Sequence, residues 1–322
     1  MKLHQLAALV SASESGSLRQ AAERLHLSQP ALSRSIRELE NELGVKLLER
    51  TPLGVEPTAY GKAVILRSKI VDSELRQAKD DIAHLRAATR GDLRIGATPV
   101  AAFSLLPAVL ARLKKSRPQL QVSVTDGMGS SLFQQLRQGD FDFVFGRIDE
   151  DIDPHEFSVD VLFNDSLVVV ARRDHPLARA RSAQKINWDD TEWILPSGDN
   201  PARAAFQRTF YARTGKAPRC TIDSNSFVTM LTIISQTHLL GIAPHQIFNV
   251  AWLQHEFIVL DLGLKFPVQP TGIIRRARSA PSAIAQYAIN ELRHAARQVS
   301  LVKSRSGNDN KKTKAFKDRV SE

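Results

Sequence analysis

The 322-residue chain contains one cysteine, Cys220. That excludes an internal disulfide framework and any cysteine-based metal cluster, and it fits a reducing compartment. Cys220 itself reads as a small packing residue. Long apolar runs are also missing, and none approaches the ~20 residues needed to span a membrane. The opening stretch MKLHQLAALVSASESGS has one lysine before its apolar residues, but Gln5 and Glu14 interrupt what would otherwise imitate an export signal. The expected location is the cytoplasm, with no membrane partner. Catalytic signatures are absent as well: no G-x-S-x-G elbow, no G-x-x-x-x-G-K loop and no H-E-x-x-H, and the Gly127/Gly129 pair is not a dinucleotide fingerprint. The 9 histidines show no ligand spacing, so neither a metal nor another cofactor is expected. The expectation is a chain that is not an enzyme.

Charge is plentiful but unevenly placed. The net charge of +10 invites a polyanionic partner, yet residues 1–60 carry as many acidic as basic side chains. Pattern, not bulk charge, must carry any argument for nucleic acid there. Much of the excess lies in Arg275, Arg276 and Arg278 and in a basic tail over 301–322, which has little to bury and is expected to be disordered. The 43% hydrophobic and 24% charged fractions are those of globular protein. The length predicts two or three domains.

The first sixty residues have a compact helical pattern. Ser17 precedes Gln20 by three residues, a capping-box spacing, and Leu18, Ala22 and Leu25 recur at helical intervals, predicting a helix from Leu18 to about His26. Ser28 offers a second N-cap, Pro30 fits a first helical turn, and Leu32, Ile36, Leu39 and Leu43 continue the pattern until Gly44. An earlier apolar helix with Leu3, Leu6, Leu9 and Val10 can cover both. Val45–Arg50 and Val55–Thr58 flank the turn Thr51–Pro52–Leu53–Gly54, which predicts a hairpin wing. From Thr58 to about Ala88 no proline intervenes, and Ala63, Leu66, Ile70, Ala78, Ile82 and Leu85 form a narrow stripe. That pattern predicts a long helix with a coiled-coil seam, hence a dimer. After Gly91 strands alternate with helices. The strands are Leu93–Ala97, Val122–Val124, Phe141–Phe145, Leu167–Ala171, Leu239–Ile242 and Gly272–Ile274. The helices are Leu105–Lys115, Ser130–Gln138, Arg203–Arg213, Phe227–Gln236 and Ile284–Gln298. This alternation predicts a mainly parallel α/β sheet in two lobes with a cleft between them.

Residues 3–61 carry G-S-L-R-Q-A-A-E-R-L-H-L-S-Q-P-A-L-S-R-S-I-R-E-L-E, then E-L-G-V-K-L-L-E-R and P-T-x-Y-G. This stretch closely resembles the winged helix-turn-helix of LysR-type transcriptional regulators. The later helix, the entry G-D-L-R-I-G-A-T-P and the α/β pattern agree with that family in order and length. The sequence departs from it at Leu6 and Leu48, where the family commonly has phenylalanine, and in the basic tail. The resemblance implies a winged helix-turn-helix over 1–58, a linker helix for dimerisation over 59–90, and a periplasmic-binding-protein-like α/β effector-binding domain of two subdomains over 91–300. It also implies a homodimer or homotetramer on a double-stranded promoter dyad, a small-molecule effector and RNA polymerase as a partner.

Two sets of residues are candidates for function. On the second helix of the motif the apolar positions leave Gln29, Pro30, Ser33, Arg34 and Arg37 facing outward, after the N-cap Ser28. Arginine has the fork to reach a guanine edge and glutamine the amide to pair with adenine. Arg50 on the wing and Thr58 at the next helix start suit phosphate oxygens. The plainer readings are surface pairs of Arg34 or Arg37 with Glu38 or Glu40, and turn formation or capping by Arg50 and Thr58. For the effector, Thr98, Pro99 and Val100 follow a strand, and the resemblance places them in the family's cleft with Thr98 donating. Gly129 and Ser130 open a helix whose free N–H groups can hold an anion, or simply cap it. Arg147 can neutralise a carboxylate or sulfonate, or stand as a solvated charge. Ser197, Ser226 and Pro244 come from loops of the second lobe. A small organic acid is the expected effector. An α/β enzyme, a solute-binding protein and an architectural DNA binder are the rival readings; the last leaves the α/β domain unexplained.

Overall fold

The computed structural model describes residues 1–52, 54–85, 91–148, 152–179, 186–198, 200–264 and 266–298. The predicted extension of the long helix to Ala88 and the tail 301–322 lie outside them.

Three helices form the N-terminal unit: α1 (Leu3–Ser15), α2 (Leu18–Arg24) and α3 (Gln29–Leu43). Ser17 accepts the Gln20 N–H and Ser28 accepts the Ala31 N–H at 3.3 Å, so each polar residue ahead of a helix meets one of its orphan donors. The predicted continuation of α2 to His26 ends instead at Arg24, and His26 turns left-handed with φ 54°. Ala8, Ala12, Ala21 and Ala22 pack around Leu32 and Ile36; their short side chains let the helices cross closely. The wing follows as antiparallel β1 (Leu48–Thr51) and β2 (Gly54–Pro57). It is pinned to the body because Val55 donates its N–H to the Gly16 carbonyl at 2.9 Å.

Helix α4 (Ala59–Leu85) leaves the wing. The residues it buries within this chain are largely polar: Ser68, Ser73 and Gln77. Of the predicted stripe, Ala63 and Ile82 are exposed, and Val71 and Leu75 beside it are exposed too. The apolar side of α4 is therefore open in the single chain.

The remaining chain makes two lobes around a seven-stranded mixed sheet in the order β10-β6-β11-β5-β3-β4, with β9 also on β6. In the first lobe lie β3 (Gly91–Ala97), α5 (Pro99–Phe103), α6 (Leu105–Ser116), β4 (Leu120–Asp126), α7 (Gly129–Gln138) and β5 (Phe143–Arg147). β6 (Phe157–Arg172) runs from there into the second lobe, which holds β7 (Glu192–Leu195), α8 (Pro201–Thr214), β8 (Arg219–Asp223), α9 (Phe227–Gln236), β9 (Gly241–Pro244), α10 (Ala251–Glu256) and β10 (Phe257–Leu260). β11 (Val268–Arg276) and a last helix α11 over 283–298 return to the first lobe. Each lobe is covered on both faces. In the first, α6 and α11 residues such as Val109 and Leu292 cover one side and Leu132 and Leu136 of α7 the other. In the second, Phe206 and Phe210 of α8 lie against Trp193, and Met230 and Ile234 of α9 fill the opposite side.

The expectation of a mainly parallel sheet needs correction. β3 is parallel to β4 and β5, and β7 to β8, but β6 and β11 pair antiparallel with each other and with their other neighbours. β6 serves both lobes, pairing first with β11 and then with β9 and β10. Neighbours reached by such a through-running strand need no crossover helix, so antiparallel pairing follows.

Candidate DNA-reading face and effector cleft

Burial of Leu32, Ile36 and Leu39 turns the other side of α3 to solvent. Gln29, Pro30, Ser33 and Arg37 line a groove of about 570 Å³ together with Arg50 and Val55 of the wing and Lys46 just ahead of it. Glu40, which the sequence offers as a surface partner for arginine, instead ties α3 to the segment leading into the wing. Glu40 is buried. It accepts the backbone N–H groups of Leu47 and Leu48 at 2.9 and 3.3 Å and the Lys46 ammonium at 2.8 Å. Burial pushes its carboxyl up, but those three donors outweigh it and hold the pKa below the ordinary value. Lys46 and Glu40 were missed because nothing local marks a helix residue that reaches the strand beyond its own C-cap.

Arg34 stands on the adjacent exposed flank with its Nε 3.0 Å from Glu38, and Arg37 donates to the Ser33 carbonyl at 3.2 Å. The plain surface pair is thus present for Arg34, on a side chain 81% exposed. A pair so solvated is weak and readily exchanged for another acceptor. Ser28 is engaged as the N-cap. Thr58 lies outside the groove, where its hydroxyl donates to the Lys46 carbonyl at 2.7 Å and accepts the Gly61 N–H at 3.0 Å, joining wing to α4.

In the effector domain three adjacent strands end in a row. β3 ends at Ala97 with Thr98 next, β5 ends at Arg147, and β4 leads through Gly127 into α7, which starts at Gly129. Thr98 donates its N–H to the Phe145 carbonyl at 3.1 Å and lays its side chain over Gly146, where a Cβ would come within 2.6 Å of the threonine methyl. Pro99 opens α5, and Val100 and Phe103 of that helix reach the core of the second lobe. Ser130 is exposed in the first turn of α7. On the second lobe Ser197, after β7, donates its N–H to the Asn225 side chain at 3.0 Å, Ser226 caps α9 by accepting from Thr229, and Pro244 ends β9. Two residues beyond the sequence reading join them. Arg203 binds the Pro196 carbonyl at 2.9 Å and the Asp223 carboxylate, whose pKa it lowers, and Asn225 ties the β7 and β8 loops. The lobes meet where Asp165, in the middle of β6, accepts the Gln246 N–H at 3.1 Å and the Ser104 hydroxyl donates to the Gln246 side chain at 3.3 Å. Cys220, expected as a packing residue, is half-buried, and burial pushes its thiol pKa up.

Among the described residues no group of histidine, cysteine and carboxylate side chains is arranged to hold a metal, and no helix is long and apolar enough to cross a membrane. A reading helix beside a wing, joined by one long helix to a two-lobed sensor domain, defines a ligand-responsive DNA-binding protein. Residues 3–62 match the family described as bacterial regulatory helix-turn-helix protein, lysR family, and residues 86–297 match the LysR substrate binding domain. The HTH-type transcriptional regulator GbpR of Azospirillum brasilense is 30% identical over 296 residues, covering 92% of this chain and 86% of its own. GalR of Pseudomonas putida is 28% identical over 292 residues, 88% of this chain and 72% of that one. The fold matches that of full-length CbnR solved with its target DNA, with TM-score 0.63, 22% identity and coverage of 92% of this chain and all of the other. The chain belongs to the LysR family of transcriptional regulators and is not an enzyme.

Proposed function

We propose that this regulator reads a promoter dyad through Gln29, Ser33, Arg34 and Arg37, with Pro30 and Ser28 setting the helix start and Arg50 and Thr58 placed for phosphates. Its DNA affinity then answers to a small organic acid held at the strand ends of the effector domain. The observation that carries the reading of the acid is the convergence of Thr98, Gly129, Ser130 and Arg147 at the carboxyl ends of three neighbouring strands. Ligands of open α/β sheets settle at such ends, and helix N-termini with a nearby guanidinium favour anions. Pro99, Val100, Ser197, Ser226 and Pro244 form the surrounding wall. The division of labour is that of the segments 1–58, 59–90 and 91–300. The open apolar residues Val71, Leu75 and Ile82 of α4 support a dimer through this helix, assembled further into a tetramer that meets RNA polymerase at the promoter in the cytoplasm. Acid binding changes how the lobes sit on the Asp165–Gln246 seam, and the subunit interface passes the change to the spacing of the reading helices.

Footprinting on DNA flanking the protein's own gene tests this, with wild type and Arg34→Ala and a panel of small carboxylates and sulfonates. A protected dyad, lost with Arg34→Ala and altered by one acid, is the expected result. Protection indifferent to every acid that the full chain binds would refute the coupling, which must be reciprocal.

A further inference from the structure

Helix α4 is stitched to the effector domain around the turn that ends α7. Arg76 donates to the Gly139 carbonyl at 3.2 Å, and Lys69 donates to the Gln138 side chain at 3.4 Å and lies 3.8 Å from Asp140. From the other side Arg276, at the end of β11, reaches back to Ser73 and Glu74 of α4 at 3.2 and 3.1 Å. Lys69 also pairs at 3.0 Å with Glu14 of α1, so the same joint touches the DNA-binding unit. The joint is close on the Arg276 side, while on the α1 side a cavity of about 410 Å³ opens between Glu14, Lys69, Arg76 and Asp140. Gly139 has φ +79°, and a Cβ there would sit 2.5 Å from a guanidinium nitrogen of Arg276 and 2.8 Å from the Ser73 side chain. That Arg276 nitrogen is buried without a hydrogen-bond partner, an arrangement which costs stability and persists only where the surroundings fix it.

The opposite end of α7 is Gly129–Ser130, at the strand ends. A helix of 10 residues is a rod of roughly 15 Å, anchored along its length by buried Leu132 and Leu136. A rod seated in a tight joint transmits a displacement of its far end rather than absorbing it. We propose that α7 is the coupling rod between the effector cleft and the DNA-binding module, with Arg76, Arg276 and Lys69 as the positioning residues of its joint. The proposal rests on the reading that an acid occupies the first turn of α7.

The test replaces the unidentified effector by a fixed carboxylate, Ser130→Asp, in the full-length chain. Its readouts are hydrogen exchange across 69–77 of α4 and affinity for the DNA flanking the gene. Ser130→Asp is expected to change DNA affinity at least about fivefold, the lower end of common coupling between linked sites, and to change exchange in α4. In an Arg76→Ala/Arg276→Ala background that still melts cooperatively and binds DNA, both responses should vanish; Arg76→Lys with Arg276 intact, which keeps a donor for the Gly139 carbonyl, should retain them. Gly139→Ala, which wedges the joint and leaves every charge in place, serves where the double variant does not fold. A response that survives without the joint, or no response of α4 in the intact chain, overturns the proposal. Thermal shifts of wild type with the acid panel judge the parent reading separately: binding of an acid whose effect on DNA ignores the joint removes the joint alone.

Discussion

Glu40 of the reading helix accepts the backbone N–H of Leu47, the residue that leads into the wing, at 2.9 Å. One buried carboxylate therefore fixes the distance between the two parts that must meet the duplex together. Glu40→Ala leaves the Leu47 N–H buried without its acceptor and is expected to cost about 2–3 kcal/mol, the scale of a hydrogen bond to a charged group, read by urea denaturation of the full chain. Glu40→Gln should cost less, because an amide oxygen still accepts.

The same contact sets an acid limit. Burial raises the Glu40 pKa and its three donors lower it by more, so the folded value lies below the ordinary 4.5. The folded state then binds fewer protons than the unfolded one, and the stabilisation is complete above pH 4.5 and fades as pH falls through the folded value. Wild type should lose midpoint on acidification below that point faster than Glu40→Gln does.

Arg34 and Arg37 carry the prediction for DNA. If they contact base edges, each alanine variant loses about 1–3 kcal/mol on the promoter dyad and relaxes preference at one position. Arg50→Ala should weaken binding to all sequences alike and lower the salt slope by about one. Glu38→Gln releases Arg34 from its 3.0 Å pair and should tighten promoter binding in titrations at low salt.

Much of the reading unit was legible because its signals are local. Leu32, Ile36 and Leu39 mark the buried side of α3, Ser17 and Ser28 mark the helix starts, and Gly44 marks the stop, all within one or two turns. The first half of β6 was not legible. Its sequence Phe-Ser-Val-Asp-Val-Leu-Phe-Asn alternates loosely, and it is a strand because β11, over a hundred residues later, pairs with it. The mainly parallel sheet failed for the same reason: pairing direction depends on how the chain crosses between lobes. The α4 joint is likewise made by side chains distant in sequence, such as Lys69 and Asp140. In the effector cleft the strand ends were readable, but Arg203 and Asn225, which hold the second lobe's loops, carry no local mark that separates them from other surface residues.

The wing tolerates no side chain at Gly54. Its φ is +135°, and a Cβ would fall 2.1 Å from the Gly16 carbonyl oxygen, the acceptor of the Val55 N–H. Gly54→Ala combines backbone strain with loss of that bond and should cost more than ~1 kcal/mol. Because the displaced wing carries Arg50, promoter affinity should fall together with stability, measured in parallel by gel shift and thermal melting.

Gly146→Ala separates the two activities of the chain. Gly146 is buried in β5 and follows no unusual backbone path, so the alanine meets only a packing conflict: its Cβ would lie 2.6 Å from the Thr98 methyl and 2.8 Å from its hydroxyl. Thr98 can relieve that conflict by rotating away from β5, and the rotation moves the hydroxyl that follows the end of β3. The DNA-reading face is untouched by such a change. The expected outcome is promoter binding close to that of wild type, since the substitution alters no residue of α3 or the wing, with loss of the acid response in the footprint. Retention of the acid response would remove Thr98 from the effector site and shift the search to Ser197 and Ser226 across the cleft.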